Sequence, residues 1–136
     1  MGYLDASKAQ QLIDRATERA AEIEVNACIA IVDSGAHLIA FRRMDGSAIG
    51  PVDVSQRKAR TSALFCFDSG DFGKVIREFA LTGMENTNGG LAVFPGGLPI
   101  FSEDGIEGAI GVSGGSAEQD LDIANYALGH SLDKKA

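Results

Sequence analysis

Histidine and cysteine are scarce in this chain, with two of each among 136 residues, and their scarcity removes whole classes of chemistry. Cys28 and Cys66 stand far apart with no second pair at metal-ligand spacing, so both read as core thiols. His37 falls at a strand start and His130 on the last helix, which excludes a multi-histidine metal centre unless subunits share ligands. A single haem needs only one histidine. No Gly-x-Ser-x-Gly elbow is present and neither cysteine has an activating neighbour, so nucleophilic catalysis has thin support. Basic residues number 12 against 19 acidic, and the net charge of −7 argues against nucleic acid or an anionic membrane as partner. The opening MGYLDASKAQ lacks a charged segment followed by an apolar run, and no later run has the length of a membrane span. A cytoplasmic protein is expected.

What is present fits one domain with one core. Ala9, Leu12, Ile13, Ala16, Ala20 and Ile23 keep helical spacing and predict an amphipathic helix over about 7–24, capped by Asp5 or Ser7. Cys28 to Val32 and His37 to Met44 are apolar runs around Asp33-Ser34-Gly35, a hairpin. Pro51 opens a second helix through Cys66, with Lys58 and Thr61 at the edge of its packing face. Asp71 caps a short third helix over 72–81. Leu91 to Phe94 reads as a short strand, Ile100 begins another, and Ile106 to Val112 returns after the Glu103-Asp104-Gly105 turn. The last helix is expected from Ala117 to His130. Hairpins and helices in separate blocks give an α+β plan, an antiparallel sheet flanked by helices, with no βαβ winding.

The stretch FPGGLPIFSEDGIEGAIGVSGGSAEQD, 94–120, carries the densest signals. Ser116 precedes Gln119 by three residues, the spacing of a capping box. The Ser113-Gly114-Gly115 loop thus leads into a helix N-terminus, where free N–H groups and the positive dipole end favour a carboxylate or phosphate. The bland reading of the same residues, a tight turn that simply caps the helix, is the commoner one. Arg43, Lys58 and Arg60 are cations able to hold a carboxylate, and Asp45, Glu118 and Asp120 are acids able to move protons or to pair with those cations. For His37 the alternatives are a turn-flanking polar residue or an axial haem ligand, and for His130 a helix-end cation or that same ligand.

Taken together, RMDG, KARTSA, PGGLPI and GAIGVSGG followed after four intervening residues by Asp, in this order over nearly the whole chain, resemble the GlcG/HbpS family. That family also supplies the C-terminal domain of PduO-type corrinoid adenosyltransferases. The resemblance implies a profilin-like α/β/α sandwich with a five-stranded antiparallel sheet and a homo-oligomeric state. It implies haem or a related tetrapyrrole as ligand for some members, with roles in haem degradation or redox sensing. Other members sit beside glycolate, diol or aromatic catabolism. The alternative expectation is a lyase, isomerase or hydratase acting on a carboxylated or aromatic small molecule, through a pocket in which Arg43 and Lys58 converge on the Ser113-Gly114-Gly115 helix entry with acids nearby. Carried over by motif, the ligand-binding positions are Arg43, Asp45, Lys58, Thr61, Gly96, Gly97, Ser113, Gly114 and Gly115, with His37 as the axial ligand if haem is bound. Few histidines, and an opening that does not read as a secretion leader, are expected to set the chain apart from exported haem-binding members.

Overall fold

The structure, a computed structural model, describes residues 4–130. Its elements are α1 (Ala6–Glu22), β1 (Cys28–Asp33), β2 (Leu38–Arg43), α2 (Gly50–Phe65), α3 (Ser69–Glu78), a 3-10 turn (Met84–Asn86), β3 (Gly97–Ser102), β4 (Gly105–Ser113) and α4 (Ala117–Ala127). The strands form one antiparallel sheet in the order β2-β1-β4-β3. Among the described residues no helix is long and apolar enough to cross a membrane.

Helices cover both faces, α1 and α4 on one and α2 on the other. α1 and α4 bury Ile13, Ala16, Ala20, Ile123 and Ala127 against Ile29, Ile31, Ile110 and Val112, which alternate to one side of the central strands. On the other side α2 lays Ala59 and Ala63 on Ala30, Val32 and Ala109. This second layer is built from small residues, and glycines bring helix and sheet into backbone contact. At Gly111 a methyl group would overlap the Ser55 carbonyl and lie 2.6 Å from the Ala59 nitrogen; at Gly97 it would overlap the Lys58 carbonyl. Side chains at either position would lift α2 off the sheet.

The sheet has four strands, not the expected five, because Leu91 to Phe94 is not a strand. Its backbone groups are taken by helix side chains: the Ala92 N–H donates to Thr61 Oγ1 at 3.1 Å, and the Phe94 carbonyl accepts from Ser69 Oγ at 2.7 Å. Val93 lies against Gly73, where a methyl group would overlap its carbonyl. With its hydrogen bonds met sideways, this apolar run has no ladder to join. α3 starts three residues earlier than Asp71 predicts, with Asp68 at its N-cap, since Cys66 takes left-handed angles (φ 56°) and ends α2 abruptly. α4 stops at Ala127. Beyond it Gly129 takes φ 80°, its N–H donates to the Tyr126 carbonyl at 3.0 Å, and the His130 N–H donates to the Asn125 carbonyl at 2.9 Å. Those two bonds are a Schellman ending.

The close approach of α2 predicts an asymmetry between glycines. Gly111→Ala should cost about 1–3 kcal/mol of unfolding free energy through overpacking, whereas Gly50→Ala, at a helix start with nothing within 4 Å of the added methyl, should cost nothing. Urea denaturation of the two variants measures the difference.

Candidate functional site

Lys58 is the largest side chain sealed inside the protein, at 1% exposure. It leaves α2 toward the end of β4, where its Nζ donates to the Val112 carbonyl at 2.8 Å and to Asp120 Oδ2 at 3.0 Å. The other carboxylate oxygen of Asp120 accepts from the Gly115 N–H at 2.8 Å. Gly96, at φ 130°, passes so near that a side chain would strike Lys58 Nζ at 2.7 Å, and the half-exposed Phe94 ring stands 5.3 Å from the ammonium. Burial pushes the Asp120 carboxyl above the ordinary aspartate range, against the pull of Lys58 and Gly115. Burial likewise pushes Lys58 below the ordinary lysine range, against the pull of Asp120.

This network changes the meaning of the glycine-rich helix entry. The loop does hold a carboxylate, and that carboxylate belongs to Asp120. The rest of the α4 N-terminus is also self-satisfied, by the reciprocal Ser116 and Gln119 capping box. Lys58, Gly96, Gly115 and Asp120 are therefore brought together, as an internal joint. Thr61 is buried too, donating to the Arg57 carbonyl at 2.7 Å while it accepts from Ala92. Gly97 is held by its N–H donating to Ser69 Oγ at 2.9 Å, and Gly114, at φ 131°, packs on the backbone of Asn26 and Ala27.

Arg43 and Ser113 lie opposite Cys28 from either side, so all three share a register row and the α2 face of the sheet. Two strand spacings separate Arg43 from Ser113, about 10 Å. Arg43 and Asp45 are exposed. Cys28 is buried, its thiol 3.3 Å from Ser47 Oγ, whereas Cys66, at the C-cap of α2, is exposed and not the core thiol expected. His37 sits at the other end of β1, beyond Asp33, roughly 16 Å along the strand from that row. Its side chain is 83% exposed and 3.5 Å from Asp33 Oδ1. Nothing encloses it.

His130 has the opposite setting. The Schellman turn anchors its backbone to Asn125, and its Nδ1 lies 3.0 Å from Asn125 Oδ1. An amide oxygen only accepts, so this contact places the ring proton on Nδ1 and leaves Nε2 as a free donor atom to a metal. Both residues line a cleft of about 340 Å³ along edge strand β3, whose walls are Leu12, Leu98, Pro99, Ile100, Phe101 and Leu128, with Lys8 and Asp68 at its polar margin. Ligand pockets begin near this volume and share the mixture of apolar wall and a few polar groups. The Asn125 Nδ2 is buried with no acceptor among the described residues, a state that costs about 1–3 kcal/mol.

Lys8, Asn125 and the β3 edge are absent from the motif-based site. One signal for them exists in the sequence: Asn125 interrupts the apolar side of α4 marked by Leu121, Ala124 and Leu128, just before Gly129-His130. No cluster of three His, Cys, Asp or Glu able to hold a metal exists among the described residues.

Removing one member of the buried pair tests its weight. Asp120→Ala leaves the Lys58 ammonium inside without its counter-charge and should cost about 3–5 kcal/mol, and adding Lys58→Met should restore much of that loss. Urea denaturation of the single and double variants is the measurement.

Residues 4–129 match the family described as haem degrading protein HbpS-like. The chain is 32% identical over 122 residues to an uncharacterized 15.0 kDa protein from the dhaT-dhaS intergenic region of Citrobacter freundii, covering 88% of this chain and 86% of that one. To protein GlcG of Escherichia coli K12 it is 32% identical over 110 residues, 81% of each chain. The crystal structure of the PduOC:haem complex superposes with a TM-score of 0.88 at 29% identity, covering 93% of this chain and 94% of that one. Matched from α1 through the end of α4, the chain belongs to the HbpS-like family.

Proposed function

We propose that this protein binds haem or a related tetrapyrrole in the β3-edge cleft, with His130 Nε2 as the axial donor. The observation that carries the reading is the pairing of His130 with Asn125 inside an apolar-walled cleft. The donor set fits the group: one imidazole with its second nitrogen already engaged, an aromatic and aliphatic wall for a planar macrocycle, and an ammonium at the margin. A haem complex of a relative of similar length and fold adds support. When bound, the group would supply a redox-active iron. The chain's own contribution is to orient His130, to shield one edge of the ring with Leu98, Ile100 and Leu128, and to offer Lys8 to an acid side chain.

His130 takes the place that motif reading reserved for His37, because His37 stands in solvent with no wall beside it. We also infer self-association, for which the exposed Phe67, Phe79 and Leu81 offer apolar surface, and a cytoplasmic setting, which suits two free thiols. The alternative, a catabolic lyase, isomerase or hydratase, draws on one observation, the shared face of Arg43 and Ser113. It loses its other supports, since Lys58 and the Gly115 N–H are already engaged by Asp120.

Titration of the purified protein with hemin should shift the Soret band, and the shift should survive His37→Ala and vanish in His130→Ala. A shift unchanged in His130→Ala, or no shift in the wild type, contradicts the reading.

A further inference from the structure

Asn125 grips His130 twice. Its main-chain carbonyl accepts the His130 N–H at 2.9 Å, and its side-chain oxygen stands 3.0 Å from the ring Nδ1. The residue is 5% exposed, so water does not compete for that oxygen. The other end of the amide is a loss to the fold: Nδ2 is buried with no acceptor among the described residues, on a helix whose Ile123, Ala124 and Ala127 are packed in the core. A leucine has the same branched shape and no polar atom to bury, and exchanging an unmet polar group for an apolar one of its shape is neutral or stabilising. What the amide contributes therefore comes through its oxygen, and that oxygen serves the His130 ring.

Resting on the tetrapyrrole reading above, we infer that Asn125 is a positioning residue that sets both which nitrogen of His130 is bare and how strongly that nitrogen donates to a metal. The oxygen can only accept, so it selects the Nδ1–H tautomer; without it the ring is free to carry its proton on Nε2, where a metal cannot bind. Its neutrality decides the second property. A carboxylate acceptor would draw on the Nδ1 proton through a charge-assisted bond, roughly twice as strong as a neutral one, and make the ring more basic toward a metal. An amide draws on it weakly. His130 is thus delivered as a neutral imidazole of ordinary donor strength, which leaves a bound iron easier to reduce than an imidazole polarised by a carboxylate would.

Three side chains at this position separate such a role from a merely structural one: the native neutral acceptor, no acceptor in Asn125→Leu, and a charged acceptor in Asn125→Asp. In ligand-free ¹⁵N-labelled protein, ring nitrogen shifts should place the proton of the neutral His130 ring on Nδ1 in wild type and largely on Nε2 in Asn125→Leu, whose stability to urea should equal or exceed that of wild type. That measurement needs no haem. With hemin, Asn125→Leu should lose about tenfold or more in affinity, and the iron reduction potential should fall in the order Asn125→Leu, wild type, Asn125→Asp. Asn125→Leu carries the test if the buried aspartate fails to fold. A wild-type ring protonated on Nε2, one tautomer shared by wild type and Asn125→Leu, or one potential shared by all the folded forms overturns the inference. If the Soret shift is lost in His130→Ala while tautomer and potential ignore position 125, the tetrapyrrole reading stands and this inference falls; if the shift survives His130→Ala, or hemin does not bind, both fall.

Discussion

A single ammonium group inside the protein holds its layers in register. Lys58 Nζ joins α2 to the end of β4 through the Val112 carbonyl and to α4 through Asp120, whose second oxygen gathers the Gly115 loop. Four segments meet at one charge pair. Two ions taken out of water are expensive unless each remaining donor and acceptor is met, and here Phe94 covers the side that hydrogen bonds leave open. The neighbouring glycines follow from the same constraint: Gly96 and Gly97 have no side chain because Lys58 occupies that space. The consequence for function is indirect. With α4 fixed at its start by Asp120, its far end delivers Asn125 and His130 to the edge of β3.

Much of this fold is legible in the sequence because its signals are local. The stripe from Ala9 to Ile23, the two hairpins and the Ser116 and Gln119 capping box each follow from residues a few positions apart, and each is found where expected. The packing face of α2 is less legible. Ser55, Lys58 and Ala59 are buried although one is a serine and one a lysine, since Ser55 and Ala59 meet the bare backbone of Gly111 and the Lys58 backbone meets that of Gly97. Hydrophobic periodicity reads side-chain polarity and has no means of registering a glycine across the interface. The run Leu91 to Phe94 misleads for a related reason: its apolar residues are real core residues, while Thr61 and Ser69, distant in sequence, capture the backbone bonds a strand would need.

A carboxylate at the Ser113 to Gly115 helix entry is what dipole and free N–H groups favour, yet the chain supplies it from Asp120, five residues after the donor Gly115. Sequence offers no way to tell an internal anion from an external one. His37 and His130 looked alike as isolated histidines, and they differ only in three dimensions. One stands in solvent at a hairpin, and the other is fixed by a glycine with positive φ beside a buried amide.

The claim at the centre of this account is that the ligand enters along β3 and the end of α4, away from the glycine-rich loop. Amide shifts of ¹⁵N-labelled protein on addition of zinc protoporphyrin, a diamagnetic tetrapyrrole, test it residue by residue. The account predicts that the largest changes fall on Leu98 to Phe101, Asn125 and His130, with Arg43 and Ser113 to Gly115 little affected. Changes centred on Arg43 and Ser113 to Gly115, with β3 and His130 silent, would contradict it.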